Sequence, residues 1–237
     1  MIGRILLAAI AAGFIAGVFV SGAQMLKVVP LIYAAEAYEN SAPQPQAHSH
    51  DQPTTDAHSH SHDHGSAESW APEDGIERIT FTALTNIVIG AGFALLVAAG
   101  MTLRGRVTDW RRGLIWGASG FLAFSFLPAL GLPPELPGMA AADLTGRQIW
   151  WAMTVVASGA GIALIAFGKD WAYRFLGAVI LTIPHIIGAP HPHEFSGGVP
   201  AELAAQFVAT SLVTAGLFWL LLGGLTGHFI GRSLQSD

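Results

Sequence analysis

Six apolar segments of about 20 residues constrain the fold of this chain more than any other feature of its sequence. They are 5–26, 81–103, 113–132, 149–167, 171–189 and 203–227. A helix needs ~20 apolar residues to cross a hydrocarbon core of ~30 Å. Charged residues make up only 11% of the 237 residues, against about 25% in soluble domains. The sequence therefore predicts an all-α integral membrane protein, a bundle of five to six transmembrane helices with a disordered His-rich external loop.

Two of the segments allow a second interpretation. The fifth is short, has Arg174 near its start and Pro184 near its end, and is either a full span or a partial, re-entrant one. The first could be a cleaved signal peptide, because Ser-Gly-Ala at 21–23 resembles a cleavage site. A membrane anchor is favoured, since apolar character resumes at 28–35. We predict a first transmembrane helix over 1–34, a His- and acid-rich loop over 35–80, and a bundle of four to five helices over 81–237.

The basic residues predict the orientation of the bundle. With six spans and a cytoplasmic amino terminus, eight of the eleven lysines and arginines face the cytoplasm. These eight are Arg4, Arg104, Arg106, Arg111, Arg112, Lys169, Arg174 and Arg232. Such an excess agrees with the positive-inside rule. Nine of the ten histidines then lie at or near the outer surface, and only His228 is cytoplasmic.

The predicted external loop contains six histidines within the seventeen residues 48–64. They are His48, His50, His58, His60, His62 and His64. The tract has no large apolar residue, so it cannot bury enough surface to fold. Alternate residues of an extended chain point the same way, and a turn can gather two or three imidazoles on one ion. We expect weak, multi-site binding of a divalent transition metal; the alternative is a polar linker whose histidines are incidental.

A second group of potential metal ligands follows the fifth segment. It comprises His185, His191, His193 and Glu194. Pro184 removes a main-chain hydrogen bond near the end of the segment, and an ionisable residue such as His185 inside an apolar segment marks a pathway or ligand by default. We predict a nitrogen and oxygen site at the external mouth. The alternative is an ordinary loop with a helix-capping histidine.

Other polar residues lie at the edge of the first segment or inside the spans. Glu36 and Glu39 follow the first segment, where carboxylates either concentrate cations at a pore mouth or are simply solvated. The polar residues inside the spans are Gln24, Asn86, Ser119, Ser125, Ser158 and Thr182. They could line a path, although most are expected to form interhelical hydrogen bonds.

Several functional classes are excluded or disfavoured. The chain has no cysteine, which excludes thiolate metal sites, iron–sulfur clusters and cysteine nucleophiles. It has no G-x-x-x-x-G-K-[ST] loop for ATP and no H-E-x-x-H motif of a zinc protease. No extended basic stretch suggests nucleic acid. We expect neither an enzyme nor a permanently bound cofactor.

Phrase-length stretches in preserved order resemble the CbtA family of predicted cobalt transporter subunits. They are MIGRILLAAIAAGFIAG, VVPLIYAAEAYE, LPPELPG followed by RQIWW, IPHIIGAPHPHEF, and VPAELAAQFVATSL leading into FWLLLGGLTG. The resemblance implies cobalt uptake across the bacterial inner membrane for cobalamin synthesis, with a small single-span His-rich partner, CbtB. The matching positions of interest are Pro184, His185, Pro190, Glu36 and Glu39. The family is usually described with five transmembrane spans, whereas six apolar segments are counted in this sequence. The polyhistidine tract is not carried over as a motif of the family.

Two functional hypotheses follow from the sequence. In the first, the chain is a multi-pass permease subunit whose external loop captures a divalent metal, cobalt with nickel or zinc as alternatives, as substrate. In the second, the chain is a non-transporting metal-binding scaffold that loads or regulates a separate permease. The expected partners are the lipid bilayer and a CbtB-like subunit; a homo-oligomer is left open.

Overall fold

A computed structural model of the protein describes residues 2–41, 72, 75–105, 109–192 and 198–235. Its elements are α1 (Ile2–Lys27), α2 (Val29–Ser41), α3 (Ile76–Leu103), α4 (Trp110–Phe121), a π-helix (Leu122–Phe126), α5 (Leu127–Ala129), α6 (Leu144–Phe167), α7 (Trp171–Ile187) and α8 (Ala201–Gln235). These ranges contain no strand. The predicted all-α fold class is confirmed.

Each of the six apolar segments corresponds to helical structure. Four helices, α1, α3, α6 and α8, are long and apolar enough to cross a membrane by length and composition. Helix α7 is apolar but shorter, with 17 residues. The third segment is helical from α4 through the π-helix to α5, where consecutive elements follow without a break. The chain is a multi-pass membrane protein.

Helices enter the predicted 35–80 loop from both sides. Helix α2 continues to Ser41, and α3 begins at Ile76 after Gly75, which has a φ of 103°. Residues 34–37 read Ala-Ala-Glu-Ala, which are good helix formers, and Ala35 is fully buried. The histidine tract lies outside the described residues, so its disorder stays a prediction.

Glycines allow three antiparallel helix pairs to pack with their backbones in contact. The facing glycines are Gly13 and Gly90 for α1 and α3, Gly117 and Gly223 for α4 and α8, and Gly161 and Gly177 for α6 and α7. A Cβ atom at any of these positions would overlap the backbone of the facing helix. Small residues at interfaces are the usual means of close helix approach in membranes.

Helix α1 also packs along α8, so α1, α3, α4 and α8 form a four-helix core. An aromatic cluster lies in this core, with the Phe93 ring centroid 5.0 Å from Phe124 and 4.6 Å from Trp219. The α6–α7 hairpin lies beside the core, where α6 contacts the π-helix, α5 and α4. The π-helix therefore lies between the core and the hairpin.

The bundle has two ends, named here the α2 end and the Arg4 end. At the α2 end, Ala35 of α2, Leu136 of the loop before α6 and Phe207 of α8 pack together. At the Arg4 end, Arg4 of α1 and Arg232 of α8 line one cavity. Because the helices alternate in direction, the end of α3 and the start of α4 also lie at the Arg4 end, while the end of α7 lies at the α2 end.

Candidate functional site

Glu36 lies at the α2 end and is ion-paired. Its Oε1 is 3.5 Å from Nη2 of Arg78 at the start of α3, and the two side chains are 32% and 37% exposed. A partly exposed pair of this kind contributes about 0–1 kcal/mol. Arg78 therefore competes only weakly with a cation for this carboxylate. Glu39 belongs to α2, but its side chain lies outside the described part.

His185 lies in the last turn of α7, against the start of α6. Pro184 precedes it inside the helix, and α7 ends at Gly188, which has a φ of 86°. The Trp150 indole Nε1 donates a hydrogen bond of 3.3 Å to the Pro184 carbonyl. The His185 ring meets the Trp150 ring edge-on, with centroids 5.9 Å apart. Its Nε2 is buried and has no hydrogen-bond partner among the described residues.

The other predicted ligands are only partly described. His191 is exposed in the segment after α7. His193 and Glu194, together with all six histidines of the tract, lie outside the described residues. Within the described ranges, no three His, Asp or Glu side chains are grouped so as to hold a metal ion. The mouth site stays a prediction.

A cavity of about 210 Å³, here called the inner cavity, lies between α1, α3, the π-helix and α8. Its polar lining consists of Gln24, Asn86, Ser125, Ser211 and Thr214. Every side chain that lines it in the described structure is uncharged. The cavity is therefore a neutral, hydrogen-bonding site within the helical core.

The orientation of the Asn86 amide follows from its hydrogen bonds. The Ser21 hydroxyl donates to the Gly17 carbonyl at 2.8 Å, so its oxygen is left to accept. Asn86 Nδ2 donates to that oxygen at 3.1 Å and to Gln24 Oε1 at 2.8 Å. The amide nitrogen uses both of its donors in this way. The Asn86 carbonyl oxygen is the acceptor that this network does not use.

Ser125 lies in the π-helix and belongs to the lining of two cavities. Its hydroxyl oxygen accepts a hydrogen bond of 3.2 Å from Trp219 Nε1. The Leu127 N–H donates to the Leu122 carbonyl five residues earlier, and Pro128 then has no N–H with which to continue the series. π-Helical turns occur frequently at functional sites. The local backbone thus supports a functional role for this segment.

A larger cavity of about 690 Å³, here called the outer cavity, opens beside the π-helix towards the α2 end. It shares Ser125, Ser211 and Ala215 with the inner cavity. Its charged lining is Glu135 of the loop before α6 and Arg147 of α6, whose Oε2 and Nη2 are 2.8 Å apart. These two side chains are 23% and 29% exposed. The pair neutralises the wall of the outer cavity.

Only some of the residues that line these cavities could be predicted from the sequence. Gln24, Asn86 and Ser125 were among the predicted polar residues, and all three line the inner cavity. Ser119 and Thr182 instead donate to carbonyls of their own helices, and the buried Ser158 hydroxyl has no partner among the described residues. The residues missed were Ser211, Thr214, Glu135 and Arg147. The available signal for the first two was their spacing of three residues in an otherwise apolar helix.

Comparison with protein families agrees with this arrangement of apolar helices. The family model described as "Probable cobalt transporter subunit (CbtA)" matches residues 2–231, which is nearly the whole chain. No curated protein and no solved structure matches the chain. The resemblance predicted from the sequence is confirmed. The chain therefore belongs to the CbtA family of probable cobalt transporter subunits.

Proposed function

We propose that this chain is the membrane-spanning subunit through which a divalent transition metal, cobalt above all, enters the cell. The family match over residues 2–231 carries the proposal. The inner and outer cavities, which share Ser125, Ser211 and Ala215 in their linings, are adjacent and offer space for part of the path from the α2 end into the four-helix core. Transport rather than catalysis is the activity that family membership implies.

Metal capture is assigned to the histidine tract. Neutral imidazole is a good ligand for cobalt, nickel and zinc. The six histidines within residues 48–64 supply many equivalent pairs of imidazole ligands. Such a tract raises the local concentration of metal without imposing a single coordination geometry on the ion. This role requires the loop to lie outside the cell, in agreement with the positive-inside bias of the sequence.

Transfer into the bundle is assigned to the predicted mouth residues. They are Glu36, Glu39, His185, His191 and His193. In support, α2 and the end of α7 both lie at the α2 end, where the outer cavity also opens. In the described structure Glu36 forms a partly exposed ion pair with Arg78, and the buried His185 Nε2 has no protein partner among the described residues.

The family description as a subunit implies a partner. We assign this role to a small single-span His-rich protein of the CbtB type, in the bacterial inner membrane, with the imported cobalt serving cobalamin synthesis. A non-transporting scaffold is the alternative. One observation favours the scaffold: the described residues contain no three-ligand metal group that would form a transport site.

Radiolabelled cobalt flux into proteoliposomes separates the two functions. We expect uptake by the purified chain when its partner is present in the same vesicles. Empty vesicles and vesicles with the partner alone are the controls. Metal binding without flux, both with and without the partner, would contradict the transport proposal and support the scaffold.

Deletion of residues 48–64 tests the capture role. The concentration of cobalt for half-maximal uptake should rise several-fold, because the tract only concentrates the ion. The maximal rate should stay within about twofold of the full-length chain, since the helices are untouched. The matched control replaces the six histidines by serine and keeps the loop length. A loss of maximal rate in this control would place the tract in the transport step itself.

A further inference from the structure

We infer that the inner cavity holds the metal as its aqua ion, bound through hydrogen bonds from the coordinated water molecules to uncharged side-chain oxygens. The inference rests on the proposed function, because it concerns how the same cargo passes through the bundle. The cavity is distinct from the described mouth residues Glu36, His185 and His191, none of which lines it.

The chemistry of the lining favours a hydrated ion over a directly ligated one. Direct ligation of a divalent transition metal in a protein uses imidazole, thiolate or carboxylate. The described lining of the inner cavity offers amide and hydroxyl oxygens instead, from Asn86, Ser125 and Ser211 among others. Water bound to a divalent cation is a strong hydrogen-bond donor, and neutral oxygens are suitable acceptors.

The volume of the inner cavity agrees with this form of the ion. Six water molecules occupy about 180 Å³ at ~30 Å³ each. The inner cavity measures about 210 Å³ and the outer cavity about 690 Å³. The inner cavity therefore has room for about one aqua ion, and the outer cavity is larger.

The hydrogen bonds around the cavity leave acceptor oxygens on Asn86 and Ser125. Because the Asn86 amide nitrogen is occupied by Ser21 and Gln24, its carbonyl oxygen is the atom left for a ligand. The Ser125 hydroxyl oxygen accepts from Trp219 through one lone pair and keeps its second lone pair as an acceptor. Acceptor oxygens of this kind suit a cationic guest whose outer surface consists of water hydrogens.

The aromatic cluster closes the inner side of this cavity. Phe93 and Trp219 line the inner cavity and contact Phe124, whose ring centroid is 5.5 Å from that of Trp219. A separate apolar cavity of about 220 Å³ lies on the other side of Trp219, between α3, α4 and α6. The aqua ion is therefore held in front of an aromatic barrier, and passage beyond it requires these rings to move.

Hexaamminecobalt(III) tests this binding mode directly. The complex resembles an aqua ion in size and presents N–H donors on all sides, but it does not exchange its ligands and cannot coordinate a side chain. Its binding to the purified full chain is measured by calorimetry. We expect the wild-type chain to bind it, and Asn86→Asp to bind it at least roughly tenfold more tightly, because the isosteric change adds a negative charge at the cavity.

Thr80→Asp is the matched control for charge. It adds the same charge on an exposed position of α3 outside the cavity, and its dissociation constant should stay within about twofold of the wild type. Ser211→Ala removes one hydroxyl from the lining and should weaken binding several-fold. A gain of affinity in Asn86→Asp cannot result from misfolding. Equal affinities of the two aspartate variants, or no binding by the wild type, would overturn the inference.

The outcome of the hexaamminecobalt(III) experiment is independent of the outcome of the cobalt flux experiment that tests the proposed function. If radiolabelled cobalt enters proteoliposomes but hexaamminecobalt(III) does not bind at the cavity, transport stands and the hydrated path is wrong. If hexaamminecobalt(III) binds as expected but cobalt never crosses the membrane with the partner present, the cavity inference stands and the transport proposal is wrong.

Discussion

Gly117→Leu is expected to separate α4 from α8 and to destabilise the whole bundle. A Cβ atom at Gly117 would overlap the carbonyl oxygen of Trp219 and contact the Cα of Gly223. Overpacking against side chains costs about 1–3 kcal/mol. Here the obstacle is backbone that cannot rotate away, so we expect a loss of about 3 kcal/mol or more. For a chain of this size that corresponds to a melting temperature lower by roughly 6–12 °C.

Gly92→Leu is the matched control for this substitution. Gly92 lies in α3, and a Cβ atom there has no described atom within 4 Å. Both variants are purified in the same detergent, and melting is followed by the loss of the monodisperse peak after heating. The control should melt within about 2 °C of the wild type. Equal melting temperatures for the two variants would show that the α4–α8 contact does not limit the stability of the bundle.

The helical state of the apolar segments could be predicted because the hydrocarbon core leaves so few solutions. Backbone groups in lipid must be hydrogen-bonded internally, so an apolar segment of sufficient length becomes a helix. The predicted segment 203–227 lies within α8, and 149–167 lies within α6. Helix ends were less predictable. Helix α8 runs on to Gln235, beyond the end of the predicted apolar segment at residue 227.

The cavities could not be predicted because they depend on which helices meet. Asn86 and Gln24 bond to each other across 62 positions of sequence, and Ser125 meets Trp219 across 94. Hydrophobic periodicity describes one helix at a time and contains no information on such pairs. The π-helix was equally hidden, since the sequence from Leu122 to Phe126 resembles any apolar helix.

The ion pair that lines the outer cavity could not be predicted from the sequence either. Glu135 lies in a proline-rich loop and Arg147 in the first turn of a helix, positions where charged residues are usually solvated. Only the fold brings their side chains to 2.8 Å. In contrast, the placement of His185 near the end of an apolar helix beside proline can be read from the sequence itself, while its role as a metal ligand stays a prediction.

His185→Phe is expected to reduce cobalt uptake at least tenfold while the protein stays folded. Phenylalanine retains a ring that can meet Trp150 edge-on, as the imidazole does at 5.9 Å, but it has no nitrogen for a metal. The buried Nε2 has no hydrogen-bond partner among the described residues, and such an atom costs about 1–3 kcal/mol. The variant should therefore match or exceed the wild type in thermal stability. Uptake is measured with radiolabelled cobalt in proteoliposomes.

His228→Phe is the control at the Arg4 end, because His228 is exposed and packs beside Phe229. Its uptake should equal that of the wild type.

The combination expected for His185→Phe, lower transport with equal or higher stability, distinguishes a metal ligand from a packing residue. If His185 served only to pack against Trp150, another aromatic ring in its place would leave cobalt uptake unchanged. If His185 is a metal ligand, the substitution lowers uptake, while the removal of an unpaired buried nitrogen maintains or raises the stability. Wild-type uptake by His185→Phe would remove His185 from the path and leave the cavity lined by Asn86 and Ser125 as the site where the ion is selected.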